Sequence, residues 1–264
     1  MTLVPIVRRA TLMGPALFAL AFFAPGEQKP APPEYGVERV QGSATGLLDA
    51  EDAEWRRAER IEWGPQGYTT AFRALWSGTA LLVRFDATDP DPWYTKTRRD
   101  DRLWEEEVVE VFLEPGEPRG QYVEIEINPG NVVCDLRLDF LKQTSDLAWD
   151  LAGLESRVRI RRDAAGHTTG WTAVAVLPWE GLRSATAATL PPRPGDQWHF
   201  NVFRIKRPGG KQDPERGALY LAWSPTGKRS FHVLEAFRGL RFRAAAAERG
   251  GGDERVRPLR AKPS

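Results

Sequence analysis

Apolar and polar positions alternate strictly through Tyr122-Val123-Glu124-Ile125-Glu126-Ile127-Asn128, and almost as strictly through Val109-Glu110-Val111-Phe112-Leu113. A period of two with β-branched residues predicts two half-buried strands, and the Pro- and Gly-rich stretch between them predicts a turn. Val109, Val111, Val123, Ile125 and Ile127 then face a core, while Glu110, Tyr122, Glu124, Glu126 and Asn128 face solvent. Residues 71–76 and 80–87 flank Ser77-Gly78-Thr79, a connection of hairpin length. Further strand-like runs cover 132–138, 157–161, 170–177, 198–206 and 219–222, each bounded by Gly, Pro or Asp. A single helical turn is predicted at 178–182, with Pro178 at its start and Gly181 near its end. Many short strands between turn signals predict an all-β fold, a two-sheet antiparallel β sandwich of jelly-roll type, as one domain over 35–243.

The two ends differ from this body. Arg8 and Arg9 precede an apolar stretch from Ala10 to Ala24, broken by Gly14 and Pro15, and Ala19-Leu20-Ala21 offers small residues where a signal peptidase reads. The expectation is a signal peptide over 1–21, too short and too broken to be a membrane span, followed by a Pro-rich linker over 22–34. Residues 244–264 carry no usable apolar period and are expected to form a disordered tail. The 264 residues carry 37 basic and 36 acidic side chains, so no long-range field favours nucleic acid. The one cysteine, Cys134, allows no internal disulfide and falls in an alternating run, where a buried thiol is expected.

LWEEEVVEVFLEP (103–115) followed by YVEIEINP (122–129) resembles the core signature of carbohydrate-binding module family 9 and its secreted single-domain relatives. GWTAVAVLPWEGL (170–182), WHFNVFRIKRP (198–208) and LAWSPTGKRSFHVLEAFRGLRF (221–242) agree in order and spacing, and GLLDAEDAEWRRAERI (46–61) matches the family's opening. The resemblance covers about residues 35–243. It implies a monomeric, secreted or periplasmic protein that binds an oligo- or polysaccharide. No cofactor is implied, although family members can carry structural calcium, for which Asp86, Asp89, Asp91, Asp100 and Asp101 supply oxygen ligands.

Trp104 stands between Arg98-Arg99-Asp100-Asp101-Arg102 and Glu105-Glu106-Glu107, charged neighbours that place it at the surface. The axial hydrogens of a sugar ring lie well on an aromatic face. The resemblance places Trp104 on one aromatic of a sugar clamp and Phe231 on the other, where the best-known members carry Trp. It places Glu110 on a residue that holds sugar hydroxyls, and a carboxylate accepts such bonds strongly. Glu126 occupies a position that is basic in a well-known member. Arg204 could grip hydroxyls through its planar fork, or form an internal salt bridge to Glu124 or Glu126.

Two other function classes stay open. Glu110 with Glu124 or Glu126 supplies the carboxylates of a glycoside hydrolase, and the departures at Phe231 and Glu126 are compatible with a structural or cell-surface interaction domain. Haem ligation through Met is excluded from a mature chain, because Met1 and Met13 both precede the expected cleavage site.

Overall fold

A computed structural model describes residues 34–245, except 43, 50, 51 and 118. The expected signal peptide, the linker as far as residue 33 and the tail from residue 246 lie outside the described residues.

The first half of the chain forms β1 (Glu34–Arg39), β2 (Ile61–Trp63), β3 (Thr70–Trp76), β4 (Ala80–Thr88), β5 (Val108–Glu114) and β6 (Gln121–Ile127). Then follow β7 (Val133–Asp139), β8 (Thr144–Asp146), β9 (Glu155–Arg162), β10 (Thr168–Pro178), β11 (Gln197–Lys206), β12 (Leu219–Ala222) and β13 (Arg238–Arg243). The predicted helical turn is present at Trp179–Leu182. Among the described residues no helix is long and apolar enough to cross a membrane.

Hydrogen bonds join the strands in the order β8-β7-β6-β5-β11-β13-β1-β3-β4-β10-β9, with β12 attached to β11 and β2 to β3. The all-β fold is as expected, but the sandwich is built from one curled, mixed sheet instead of two separate antiparallel ones. The difference lies in β1, which runs parallel to both β13 and β3 and so stitches the two halves together. Pairing on both sides of β1 removes two strand edges that would otherwise be open.

The sheet closes on a core in which Val109, Val111, Val123, Ile125 and Ile127 share one cluster with Phe72, Phe85, Trp171 and Phe200. Both outer faces are covered as well. Val40, Leu48, Trp55 and Ala58 roof Leu75, Leu82, Val174 and Val176 on one half. Leu103, Phe231 and Phe237 cover Phe112, Tyr122, Cys134, Leu136, Phe203 and Ile205 on the other. This second roof corrects the solvent-facing expectation for Glu110, Tyr122, Glu124, Glu126 and Asn128. Their faces alternate as the sequence indicates, yet all five are buried, because segments distant in the chain lie over them.

Candidate functional site

The outer face of β5, β6 and β11 is the floor of a cleft. In the ladder Glu110 stands opposite Glu126 on one side and Phe203 on the other, and Phe112 stands opposite Glu124. The walls come from the turn at Leu103–Glu105, from Tyr220 of β12 and from Ser230-Phe231-His232. Together they enclose about 520 Å³, with Trp104, Tyr220, Phe231, Phe112 and His232 as aromatic surface and Glu110 and Glu124 as acidic surface. Trp104, Glu110 and Phe231 are thus brought together as the sequence indicated. Trp104 is half-buried, whereas Phe231 is stacked on Phe203 with centroids 4.3 Å apart and planes 16° from parallel. Phe231 is therefore a fixed wall and not a free jaw.

The wall is held by Arg207, which sequence reasoning missed. Its guanidinium is buried and donates to the Trp104 carbonyl at 2.9 Å, the Glu106 carbonyl at 3.1 Å and the Tyr220 hydroxyl at 3.2 Å, and it pairs with Glu215. Arg229 lies over the Tyr220 ring at 4.3 Å and binds the same Glu215 at 2.8 Å. His232 accepts or donates to the Tyr122 hydroxyl at 2.8 Å and stacks on Phe112. Burial lowers its affinity for a proton. A signal for Arg207 was available: it shares the parity of Phe203 and Ile205 in the β11 run, the parity of the cleft face.

The same parity displaces Arg204. It follows Trp198, Phe200 and Val202 onto the core side, away from the cleft. There it donates to Asp89 at 2.7 Å and to the Thr88 carbonyl at 2.9 Å, while Lys206 binds Asp89 at 2.9 Å and pairs with Glu107. Its partner is Asp89, not Glu124 or Glu126. The run beside Trp104 is also less exposed than its charge implied, since Glu106 and Glu107 are buried and accept from Thr95, Lys96 and Lys206.

Four of the five Asp residues considered for calcium have protein partners, Asp100 through the Asp135 N–H and Arg99. Asp86 accepts from Arg73, Arg84 and Thr172, Asp89 from Arg204 and Lys206, and Asp101 from Arg98. Cys134 is buried, and burial first, then neighbouring carboxylates, pushes its thiol up to about 12.

At the floor of the cleft three carboxylates have no basic partner among the described residues. Glu110, Glu124 and Glu126 are only 2%, 4% and 0% exposed. Among the described residues no group outside the trio hydrogen-bonds Glu110 Oε1, Glu124 Oε2 or either Glu126 oxygen; within it, Glu124 and Glu126 bond to each other when Glu126 carries a proton. Burial raises the proton affinity of all three; the neighbouring charge of Glu124 adds to it at Glu110, and those of Glu110 and Glu124 at Glu126. Glu124 is pushed up to about 7, with the Glu126 carboxyl offsetting part of the burial effect. Glu114, four residues from Glu110 on the same face, shows the contrast: it is equally buried but accepts from Arg119 and the Gly120 N–H.

A second concavity of about 560 Å³ lies on the other outer face, lined by seven arginines, among them Arg73, Arg84, Arg157, Arg159 and Arg161, with Asp86. It has no aromatic wall, so the two concavities differ in kind.

Residues 43–242 match the profile described as carbohydrate-binding family 9. The chain belongs to this family. Solved structures of the same fold include a candidate carbohydrate-binding protein from Bacteroides uniformis, 18% identical, with 79% of this chain and 98% of that chain covered and a TM-score of 0.61. A carbohydrate-binding module of family 9 from Caldicellulosiruptor kristjanssonii, solved with cellotriose, is 14% identical, with 86% and 100% covered and a TM-score of 0.57. A family 9 module from the same organism, solved with glucose, is 15% identical, with 81% and 97% covered and a TM-score of 0.55. At these identities the likeness shows a shared fold. No match was found among curated proteins.

Proposed function

We propose that the protein is an exported, non-catalytic carbohydrate-binding protein that holds an oligo- or polysaccharide in the cleft walled by Trp104, Tyr220 and Phe231. The observation that carries this reading is the meeting, in one cavity, of aromatic faces with carboxylates that have no basic partner among the described residues. A sugar supplies both complements. Its C–H face covers an aromatic ring, and its hydroxyls donate to Glu110 and Glu124. Arg207 acts as a positioning residue that fixes Trp104 and Tyr220. Export is supported by Arg8-Arg9, the apolar run and Ala19-Leu20-Ala21.

The cleft does not favour hydrolysis. A glycosidase needs an acid and a base or nucleophile flanking the scissile bond, whereas Glu110 and Glu124, diagonal to each other across β5 and β6, are both nearly wholly buried in the floor, and the family matched is a carbohydrate-binding one. A glycan array, followed by calorimetry and an assay for released reducing ends, tests the reading. Binding without hydrolysis is expected; absence of binding to any glycan, or turnover of a bound one, would overturn it.

A further inference from the structure

Sugar hydroxyls account for Glu110 and Glu124, which line the cleft, but not for Glu126. Glu126 is wholly buried, does not line the cleft and carries two carboxylate oxygens that no described group outside the trio reaches. One carboxylate oxygen from each of the three residues lies within 4.8 Å of the other two. No Lys, Arg or His among the described residues forms an ion pair with any of them, although the neighbouring buried acids Glu107, Glu114 and Asp135 each have a basic partner. Buried polar groups are ordinarily satisfied, and like charges opposed across a ladder are destabilising.

We propose that Glu110, Glu124 and Glu126 form a site for one hard divalent cation of the calcium type at the floor of the cleft. All the orphaned atoms are carboxylate oxygens, the donors that such cations take, and calcium accepts six to eight of them in flexible geometry. Three carboxylates supply up to six oxygens, and the open side of the cleft leaves room for water or ligand oxygens. An ammonium group on a bound amino sugar is the poorer fit. It has three donors against four oxygens that lack a partner outside the trio, and Glu126 does not line the cleft that the sugar would occupy. A cation here differs from calcium held by the aspartates of 86–101, of which Asp86, Asp89, Asp100 and Asp101 have protein partners. The site stands on its own residues and not on the sugar reading. If both hold, the cation also presents a positive centre to vicinal sugar hydroxyls.

The test uses full-length mature protein stripped with chelator and then titrated with calcium by calorimetry, and separately with terbium, whose luminescence nearby aromatic rings excite. No sugar is present, so failure of this site and failure of sugar binding are read independently. One calcium per chain and aromatic-sensitised terbium emission that calcium quenches are expected. Glu126→Gln should weaken binding by at least about tenfold, because affinity follows the ligand charge count, while its thermal melt in chelator shows an intact fold. Glu124→Gln gives the same readout should Glu126→Gln not fold. Asp150→Asn, at the separate cluster of Asp100, Asp135 and Asp150, should leave binding unchanged. The proposal is overturned if calcium and terbium do not bind, or if binding survives both Glu variants. It is equally overturned if only Asp150→Asn abolishes binding, or if the stripped protein binds glucosamine and no metal.

Discussion

Glu110 and Glu126 stand directly opposite each other across the β5–β6 ladder, both buried and neither paired with a basic side chain among the described residues. Cross-strand pairs of like charge are among the arrangements that sheets avoid. Retaining one here makes sense at a place where something other than the protein completes the bonding. The pair also makes the cleft floor tunable by substitution.

Replacing Glu126 by Gln removes an ionisable group and supplies a permanent amide donor for the neighbouring carboxylates. In chelator at neutral pH, Glu126→Gln should raise stability by about 1–2 kcal/mol. Urea denaturation followed by tryptophan fluorescence measures it. A loss of stability would show that the three carboxylates are already satisfied in the metal-free protein.

Stability should also depend on pH in an unusual direction. Burial raises Glu124 to about 7 and Glu107 to about 8 from an ordinary 4.5, the charge of Asp89 adding to the effect at Glu107. A carboxyl whose folded-state value is raised binds protons more tightly in the folded state. Its contribution is fully present below about 4.5 and is lost as pH rises through 7 to 8. Surface acids such as Asp101 and Glu215, lowered mainly by hydrogen bonds to Arg98 and Arg229, act oppositely but only in more acidic solution. Thermal melts in chelator should therefore fall between pH 5 and pH 8. A melting temperature that rises over this interval would contradict the placement of these groups.

Arg204 should prove structural. Arg204→Met removes a buried partner of Asp89 together with its bond to the Thr88 carbonyl, so it should cost about 2–4 kcal/mol of stability. The affinity of the folded protein for a glycan should not change. Denaturation and calorimetry on the same preparation separate the two effects.

Arg207 should behave in the opposite manner. A lysine cannot reproduce the fork that reaches the carbonyls of Trp104 and Glu106 and the Tyr220 hydroxyl together. Arg207→Lys should weaken glycan binding about tenfold, with a smaller loss of stability than Arg204→Met. The ratio of the two losses, read by the same pair of assays, is the check.

Much of the fold was legible because alternation is a local property. The runs at β3, β4, β5, β6, β7, β9, β10, β11 and β12, and the turn at Trp179–Leu182, follow their apolar and turn residues closely. What alternation cannot reveal is whether a polar face is later covered. Glu124 and Glu126 read as solvated because Phe231 and Phe237, which help bury that face, lie far along the chain. The parallel pairing of β1 was likewise invisible, since a strand's neighbours depend on topology and not on its own pattern. Trp104, Glu110 and Phe231 could be placed through the family's motifs. The resemblance did not help with Arg204, but the parity of Trp198, Phe200 and Val202 did carry that information.

The central claim, that the cleft binds carbohydrate through Trp104, is tested most directly by calorimetry of the wild type and Trp104→Ala with the best oligosaccharide from a glycan array. Saturable wild-type binding is expected, weakened by about 1–3 kcal/mol in Trp104→Ala, with the melting temperature nearly unchanged because Trp104 is only half-buried. Equal affinity of the two proteins, or a sharp fall in melting temperature with binding intact, would contradict the account.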